Sequence, residues 1–467
     1  MSSDVLIVGG GIAGLATAYE LHRRGITFQL LERGPRAGGV ILSEEIDGFV
    51  IDGGPDALLI QKPDGIKLCE ELGIGDRLVP TKLPRLAYIQ RGGELHPLPA
   101  ASVLGIPTEW GPFIRTRLFS WAGKVRMGLE MFVPPRTEDS DESIGAFMAR
   151  RFGREAATFL AEPLLAGIHG GDVDRLSIRA LFPRFVEAER KYGSLLRAFR
   201  PNSGTRNPGT RNPKPETRNP DGAFKSLPGG LSELVRALLK ALPAEAIQLN
   251  TTVARVRGTG PYIVEREDGV RLQARALVLA TPAYVTSAIT REFDADLSRV
   301  CGEIRYASAA TVALAFRREQ VAHPLNGSGF VVPRVEKTGI MAGSWLSSKW
   351  PHRAPEGSVL LRTFVGGARD PKALEQSDRE LVDLSLRAVG PLLGISGAPI
   401  FTRIFRWNRA NAQHEVGHLD RIAAIDRAVA RHAGVYVTGS GFRGTGIPDC
   451  VADGRATAAQ VATWLAQ

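Results

Sequence analysis

The chain has 467 residues, of which 43% are hydrophobic and 23% are charged. This is more than one compact domain usually contains, so we expect two or three domains with sizeable cores. The formal net charge is +10, but the basic residues are scattered along the chain, which argues against a dedicated nucleic-acid-binding arm. A basic surface would instead attract an anionic lipid face or a substrate that carries several carboxylates.

Cysteine usage and hydropathy restrict the compartment and the membrane contact. The three cysteines are far apart and form no C-x-x-C pair, so we predict neither a disulfide framework nor a zinc site. This cysteine usage fits a reducing, cytoplasmic compartment. The chain runs from Met1 directly into a strand, without the basic flank and apolar core of an export signal. No apolar run approaches the roughly 18 residues that predict a membrane-spanning helix, so we expect any membrane contact to be peripheral.

The N-terminal segment predicts a strand, a helix and a second strand. Residues 4–8 form an apolar, β-branched run that ends in glycines, which indicates a buried parallel strand. From Ile12 to Arg24 small and apolar residues recur at helical spacing, and Gly25 follows as a C-terminal stop. Residues 27–31 are again extended, so the unit is a strand, a helix and a strand.

A glycine fingerprint lies between this first strand and the helix. Gly9, Gly11 and Gly14 match G-x-G-x-x-G, and they suit a tight turn, close approach of a pyrophosphate and close helix–strand packing. Glu32 ends the second strand, where its carboxylate is expected to accept hydrogen bonds from an adenosine ribose. We therefore predict a Rossmann-like dinucleotide site that also includes Gly10, Ile12 and Ala13.

NAD and FAD both use this fingerprint, and the residues after Glu32 favour FAD. They resemble the E-R-x-x-R-x-G-G pattern of the amine oxidase-like flavoproteins, in which an arginine and paired glycines surround the FAD pyrophosphate. A later loop resembles the segment that these flavoproteins lay beside the flavin ring. The resemblance implies cofactor contacts at Arg33, Gly38, Gly39, Val40, Gly54, Pro55, Asp56 and Ala57, with Val253 from the middle of the chain.

The C-terminal region supplies a third glycine-rich segment, from Gly439 to Cys450, before a helix that we predict begins near Val451. Four glycines at a helix N-terminus form a backbone cradle for electron-rich atoms. Placed against the flavin C2 carbonyl and N1, such a helix end would stabilise the charge that develops as FAD is reduced. The predicted contacts in this segment are Ser440, Thr445, Gly446 and Ile447.

The remaining predicted elements place nucleotide-domain segments at the start, middle and end of the chain. Further strands are predicted at Gln248–Val256, Tyr262–Arg266, Leu277–Ala280 and Val435–Thr438, with a hairpin turn at Glu267–Gly269. Two inserts, roughly residues 60–225 and 285–425, separate these segments. The first insert predicts helices, such as Ser143–Phe152 and Glu155–Leu165, and an apolar, arginine-rich stretch from Phe113 to Phe132, whereas the second is richer in strands.

Several stretches resemble the oxygen-dependent protoporphyrinogen and coproporphyrinogen oxidase family, and the resemblance covers nearly the whole chain. They are G-G-x-L-H-x-L-P from Gly92, L-S-x-R-x-x-F-P from Leu176, Thr363–Gly367 and the closing G-I-P-D-C. The resemblance implies a mixed α/β and α+β fold. Its regions are an interleaved, Rossmann-like FAD-binding domain (1–60, 225–285 and 425–467), a substrate-binding sheet domain (60–95 and 285–425) and a helical, membrane-associating domain (95–200). Residues 200–222, with their repeated Thr-Arg-Asn-Pro, are expected to form a disordered loop.

The resemblance also implies the activity. Hydride passes from a methylene bridge of a porphyrinogen to flavin N5, and dioxygen reoxidises the flavin with release of hydrogen peroxide. The leading interpretation takes protoporphyrinogen IX as substrate, and coproporphyrinogen III, with two more propionates, is the alternative. The implied substrate contacts are Arg85 for a propionate, Phe364 for stacking on a pyrrole ring, Val331 or Val332 for the opposite wall, and Gly167 for backbone near the macrocycle.

One family segment, W-x-x-A-x-P-Q-Y-x-x-G-H, departs from the family pattern, because Ala412 and His414 replace its proline and tyrosine. Trp407 keeps its place and is expected to abut the flavin. Two other interpretations stay open, namely an amine oxidase or carotenoid desaturase on the same flavin scaffold, and a non-enzymatic escort protein of the GDP-dissociation-inhibitor type. The expected partners are the porphyrinogen, dioxygen, a membrane surface and a second copy in a homodimer, with no nucleic acid and no metal.

Overall fold

The computed structural model describes residues 3–99, 102–103, 106–107, 109–199 and 222–467, so all but Gly222 of the predicted loop 200–222 lies outside the described residues. Its strands are β1 (Ser3–Val8), β2 (Phe28–Leu31), β3 (Ser43–Ile46), β4 (Phe49–Asp52), β5 (Leu58–Leu59), β6 (Val79–Pro80), β7 (Ala87–Arg91), β8 (Glu94–Pro97), β9 (Ser102–Val103), β10 (Ile106–Pro107), β11 (Phe224–Ser226), β12 (Ile247–Gln248), β13 (Val253–Arg257), β14 (Tyr262–Arg266), β15 (Arg271–Leu279), β16 (Tyr306–Arg317), β17 (Gly329–Val331), β18 (Ile340–Trp345), β19 (Ser358–Gly366), β20 (Phe401–Ala412) and β21 (Val435–Val437).

The helices carry their own numbering. They are α1 (Ile12–Arg23), α2 (Asp64–Glu71), α3 (Trp110–Arg115), α4 (Trp121–Gly128), α5 (Ile144–Phe152), α6 (Arg154–Ala156), α7 (Glu162–His169), α8 (Ile178–Leu181), α9 (Pro183–Tyr192), α10 (Leu195–Ala198), α11 (Ser232–Ala241), α12 (Ala283–Ile289), α13 (Ala295–Gly302), α14 (Leu346–Lys349), α15 (Asp378–Leu393), α16 (His418–Val429) and α17 (Ile447–Leu465). A π-helical turn, Ala157–Ala161, joins α6 to α7.

One sheet gathers strands from three separate parts of the chain. Its parallel strands run in the order β12-β2-β1-β15, and β14 and β13 continue it as an antiparallel ribbon. β21 pairs with the C-terminal half of β15. Helices α1, α11 and α17 cover one face with an apolar core, and α12, α13 and α16 cover the other. Covering both faces explains why these strands are nearly continuous apolar runs.

A second sheet has the order β20-β16-β19-β18-β17-β7-β8 and is antiparallel except for the β17–β7 pair. One face packs against α15 through Leu381 and Val389. The opposite face packs against the β3–β4 hairpin, where Ile51 meets Leu360 and Phe405. The N-terminal segment after β2 therefore lies between the two sheets.

Helices α3 to α10 form a region with its own apolar core, which includes Phe113, Phe147 and Leu160. Serine side chains begin four of these helices by accepting a backbone N–H in the first turn, at Ser120, Ser143, Ser177 and Ser194. Within the described residues, no helix is both long and apolar enough to cross a bilayer.

Three predicted elements have different bounds in the structure. The C-terminal helix begins at Ile447 rather than near Val451, because Pro448 needs no amide donor in a first turn. The predicted strand Gln248–Val256 is interrupted at Asn250, whose φ is +51°. The predicted helix Glu155–Leu165 contains the π-helical turn. The first strand, the first helix and the hairpin between β14 and β15 are confirmed.

Candidate functional site

The glycine turn after β1 has the geometry that the fingerprint predicts. Gly9 has a φ of +109°, and a Cβ there would lie 2.6 Å from the carbonyl oxygen of Ala280. A Cβ at Gly14 would overlap the carbonyl of Gly9, so helix and strand pack closely only with glycine. A Cβ at Gly11 would meet nothing within 4 Å. The turn is therefore tight on its inner side and open at Gly11.

The N-terminus of α1 suits an anion. Gly11 is its N-cap, no side chain caps it, and its first turn contains no acidic residue. The first amides of a helix lack intrahelical acceptors, and the helix dipole adds partial positive charge there. Uncapped amides beside the open face of Gly11 fit a phosphate, as the sequence predicts for Ile12 and Ala13.

Glu32 connects the glycine turn to the loop that follows β2. Its carboxylate accepts hydrogen bonds from the amides of Gly10 and Gly34, both at 2.8 Å. Carboxylate acceptors make hydrogen bonds about twice as strong as neutral ones. Thr251 also donates its amide to the Glu32 carbonyl at 2.8 Å, which places the start of β13, and so Val253, beside this corner.

The loop from Arg36 to Ile41 closes over the glycine turn. Arg36 donates to the carbonyls of Gly39, at 2.7 Å, and Ile41, at 3.1 Å. The amide of Gly38 donates to the Gly10 carbonyl at 2.7 Å, and a Cβ at Gly39, whose φ is +59°, would lie 3.3 Å from the Cα of Gly11. The structure thus brings Gly39 to the open face at Gly11, whereas Gly38 is buried against Gly10. The other two predicted contacts in this loop, Arg33 and Val40, are exposed.

The loop after β4 continues this arrangement towards the second sheet. A Cβ at Gly54 would overlap the carbonyl of Val40, so the two loops touch. The carbonyl of Gly53 accepts hydrogen bonds from Trp407 Nε1 and Thr311 Oγ1, both at 2.8 Å. Trp407 is therefore held at the junction of the sheet and the two loops.

A buried cluster of charged side chains holds the loop after β4 in place. Arg362 donates to the carbonyls of Asp52, at 2.6 Å, and Gly54, at 2.8 Å, and to the Asp56 carboxylate at 3.0 Å. Asp56 also accepts from Lys349 Nζ and Trp350 Nε1, both at 2.7 Å. Burial alone would raise the pKa of Asp56, but Lys349 and Arg362 hold it well below its usual range. The carboxylate is thus ionised and held by Lys349, Trp350 and Arg362, so Asp56 would contact a cofactor through its backbone. The contacts predicted for the neighbouring Pro55 and Ala57 stay predictions.

The C-terminal glycine segment lies beside the first turn of α1. The amide of Gly439 donates to Asp453 Oδ2 at 3.1 Å, and Thr438 Oγ1 donates to the same oxygen at 2.6 Å. A Cβ at Gly439 would lie 3.9 Å from the Cβ of Ala13, and one at Gly454 would lie 2.5 Å from the Ala13 carbonyl. Gly439 therefore lies beside the N-terminal fingerprint, and we call the region between them the groove. The predicted contacts Ser440, Thr445, Gly446 and Ile447 follow Gly439 along the chain and stay predictions.

One row of paired residues crosses the second sheet from this groove. Thr311, which donates to Gly53, pairs with Phe364; Phe364 pairs with Ala342; and Ala342 pairs with Val331. Directly paired residues of antiparallel strands point to the same face. Val331 packs at the far end of the row against the helical core. Neighbouring strands are about 4.8 Å apart, so Phe364 and Val331 bound a wall of about 10 Å.

The other two predicted substrate residues approach this wall from different elements. Gly167 lies in α7, which packs against β17 and β18. Arg85 donates Nε to the carbonyl of Thr81 at 3.1 Å and lies against Gly222, beside the small sheet of β5, β11 and β6. Helix α7 thus lies beside the strands that carry the row, whereas the contacts of Arg85 lie at a separate edge.

Sequence reasoning missed several groups at this site. Lys62 Nζ pairs with Asp449 Oδ2 at 2.7 Å beside the N-terminus of α17. His169 ends α7, and burial and the neighbouring His414 lower its pKa to about 4. Lys62 and Asp449 are 387 positions apart, so no local pattern could have indicated the pair. The only sequence signal for His414 was its departure from the family tyrosine.

The comparisons with known proteins agree with this geometry. A family model described as flavin containing amine oxidoreductase matches residues 12–462. The coproporphyrinogen III oxidase of Bacillus subtilis is 35% identical over 469 residues, which cover 99% of this chain and 98% of that protein. The mitochondrial protoporphyrinogen oxidase of Nicotiana tabacum is 27% identical over 490 residues, covering 99% and 95%.

Solved structures give the same result. A protein from Exiguobacterium, described as a candidate protoporphyrinogen oxidase, has a TM-score of 0.85 and 32% identity over all of both chains. Cyclohexylamine oxidase from Brevibacterium oxydans, with a TM-score of 0.71 and 16% identity, shares the fold alone. The chain therefore belongs to the flavin-containing amine oxidoreductase family, in the group of the protoporphyrinogen and coproporphyrinogen oxidases, and is an FAD-dependent oxidoreductase.

Proposed function

We propose that this chain oxidises a porphyrinogen of haem biosynthesis, with coproporphyrinogen III as its preferred substrate and protoporphyrinogen IX as the second candidate. The observation that carries the proposal is the row from Thr311 through Phe364 to Val331. It joins the loop beside the predicted flavin position to an apolar wall, which suits a broad, flat substrate with few polar atoms at its centre.

The residues of the groove have separable roles in this proposal. The α1 N-terminus and the glycines around it would hold the pyrophosphate, and Glu32 would take the ribose hydroxyls. When bound, FAD supplies the chemistry by accepting hydride from the substrate and being reoxidised by dioxygen. Trp407 and the Gly53–Gly54 loop would position its ring system, while Phe364 would stack on a pyrrole ring and orient the methylene bridge.

The substrate preference follows from two arguments. Relatives named coproporphyrinogen III oxidase are 35%, 32% and 34% identical to this chain, whereas the Nicotiana and Spinacia proteins named protoporphyrinogen oxidase are 27% to 29% identical. The Exiguobacterium protein, at 32% identity, keeps protoporphyrinogen IX as the second candidate. Coproporphyrinogen III carries two more propionates, and the net charge of +10 favours the more acidic substrate. By the family resemblance Arg85 is the proposed propionate partner; because its contacts lie at an edge away from the row, it would bind a carboxylate at the rim of the macrocycle.

Turnover by the FAD-loaded protein tests this proposal. Each porphyrinogen is supplied in air, and the appearance of porphyrin fluorescence is followed against a flavin-free control. We expect both substrates to be oxidised, with the larger kcat/KM for coproporphyrinogen III. A larger value for protoporphyrinogen IX would overturn the stated preference, and no turnover of either would overturn the proposed function.

We also propose a peripheral membrane contact through α3, α4 and the turn that follows them. These elements expose Ile114 (50%), Trp121 (69%), Val125 (61%) and Phe132 (73%), an unusual concentration of large apolar side chains within about 20 residues of the chain. Co-sedimentation with anionic phospholipid vesicles tests it. Trp121→Ser combined with Phe132→Ser should abolish binding, whereas Leu83→Ser, at a 77% exposed leucine elsewhere, should not. Equal binding by both variants would contradict this surface.

The homodimer and the cytoplasmic location stay predictions from the sequence. Light scattering during gel filtration measures the first directly, and a mass of twice 50.3 kDa is expected. A mass of one chain at all concentrations would contradict it.

A further inference from the structure

Two histidines that the proposed mechanism does not use form a parallel stack beside the C-terminal glycine segment. His414 follows β20, and His418 is the first residue of α16. Their side chains are buried, with exposures of 3% and 2%. The ring centroids lie 3.8 Å apart and the ring planes differ by 9°. A charge on either ring would be costly in this buried position, so two imidazoles this close together are expected to be neutral.

Each ring is hydrogen bonded to the glycine segment at an alternate residue. His414 Nε2 lies 3.0 Å from the Ser440 carbonyl, and His418 Nε2 lies 2.9 Å from the Phe442 carbonyl. A carbonyl oxygen only accepts, so both Nε2 atoms carry the proton. In the described part of the chain, His418 Nδ1 is buried without a partner, as suits an unprotonated nitrogen. Burial lowers the pKa of both imidazoles, that of His418 to about 3, so the pair is neutral.

These two bonds determine which way the segment presents its amides. In a trans peptide the carbonyl of one residue and the N–H of the next point in opposite directions. Fixing the carbonyls of Ser440 and Phe442 towards the stack therefore turns the amides of Gly441 and Arg443 away from it. Rotation of either peptide would need the loss of a buried hydrogen bond, so the orientation is rigid.

We infer that His414 and His418 are positioning residues for the flavin, acting as a neutral stack that orients the amides of Gly441 and Arg443. The inference rests on the proposed function in one respect, namely that this segment faces the flavin. There the amides would favour the reduced cofactor, which carries more negative charge than the oxidised one. The stack would thus set the reduction potential of the flavin through the backbone, without contact with the substrate.

Substitution at His414 separates this role from simple packing. His414→Phe keeps a flat ring to stack on His418 but removes the donor, whereas the Nε2 of His414→Gln can still donate to the Ser440 carbonyl. We expect the Phe variant to bind reduced FAD about five-fold more weakly, relative to its binding of oxidised FAD, as for the loss of one hydrogen bond. That ratio lowers the two-electron potential by about 20 mV. The Gln variant should stay close to the wild-type potential.

The readouts are the flavin reduction potential, by spectroelectrochemical titration, and the dissociation constant of oxidised FAD. Both are measured only on protein that has bound flavin, so an unfolded variant gives no false support. His418→Phe and His418→Gln repeat the comparison at the second ring, in case the first Phe variant does not fold. His22→Leu, at an exposed histidine of α1, is the control.

The outcomes distinguish this inference from the proposed function. Equal potentials for wild type and the Phe variants would overturn the inference, as would equal losses in the Phe and Gln variants, which would indicate packing alone. Wild-type protein that binds FAD but oxidises neither porphyrinogen would overturn the proposed function, while the comparison of potentials would still decide the role of the stack.

Discussion

Arg362→Met removes the cation that holds the loop beneath the proposed flavin position. The guanidinium is 2% exposed and makes three hydrogen bonds, two of them to the carbonyls of Asp52 and Gly54. Asp56 keeps Lys349 as a partner at 2.7 Å, so its carboxylate is not left alone. The loss therefore falls mainly on the two buried carbonyls, at about 1–3 kcal/mol each. We expect a total loss of about 3–4 kcal/mol, as for two buried carbonyls that each lose a donor.

The assay compares the free energy of unfolding, by denaturant titration of the flavin-free and flavin-loaded proteins, with the affinity for FAD. The matched control is Arg403→Met, since Arg403 pairs with a single carboxylate, Glu44, and is 48% exposed. Exposed pairs contribute about 0–1 kcal/mol, so the control should change little. FAD binding should weaken only in Arg362→Met, because the loop loses its two carbonyl anchors. Losses of less than about 1 kcal/mol in both variants would refute the assigned role of Arg362.

Three further predictions concern the substrate, the helical core and acid stability. Phe364→Ala should lower kcat/KM for the porphyrinogen about ten- to a hundred-fold and leave the affinity for FAD unchanged. An unchanged kcat/KM in the porphyrin fluorescence assay would contradict a substrate contact at Phe364. Arg151→Met leaves the fully buried Glu130 without its cation and should cost about 3–5 kcal/mol in denaturant unfolding; a loss within error would contradict a stabilising pair. In the folded protein, burial lowers the pKa of His418 to about 3 and that of His169 to about 4. As the pH is lowered, these histidines therefore take up protons first in the unfolded chain, and the free energy of unfolding decreases once the pH is below about 6.5. His418 alone should cost about 1.6 kcal/mol of unfolding free energy between pH 6.5 and pH 5, and a pH-independent melting temperature over this range would contradict its neutral burial.

The parts of the fold that are coded locally could be predicted from the sequence. The strand, glycine turn and helix at the N-terminus lie within one short segment, and their periodicity and turn chemistry determine them. The strand predicted from Gln248 to Val256 was wrong in its middle because Asn250 adopts a left-handed conformation, which apolar periodicity does not reveal. The start of α17 was placed too late because Pro448 was not recognised as a first-turn residue.

The parts of the site that depend on distant pairing could not be predicted in this way. Arg362 and Asp56 are 306 positions apart, and an arginine inside an apolar strand gives no indication of its partner. The stack of His414 on His418 likewise needs the turn at the start of α16 and the glycine segment that follows β21. Phe364 and Trp407 came from the family resemblance alone, and the structure gives the physical reason for their positions. One lies in the cross-sheet row and the other donates to the Gly53 loop.

Anaerobic reduction of the bound flavin tests the central claim most directly. The FAD-loaded protein is mixed with coproporphyrinogen III without oxygen, and the visible flavin absorbance is followed before and after air is admitted. We expect the absorbance to be bleached, porphyrin to form, and air to restore the oxidised spectrum. A flavin that stays oxidised with coproporphyrinogen III, and also with protoporphyrinogen IX, would contradict the proposed oxidation of a porphyrinogen.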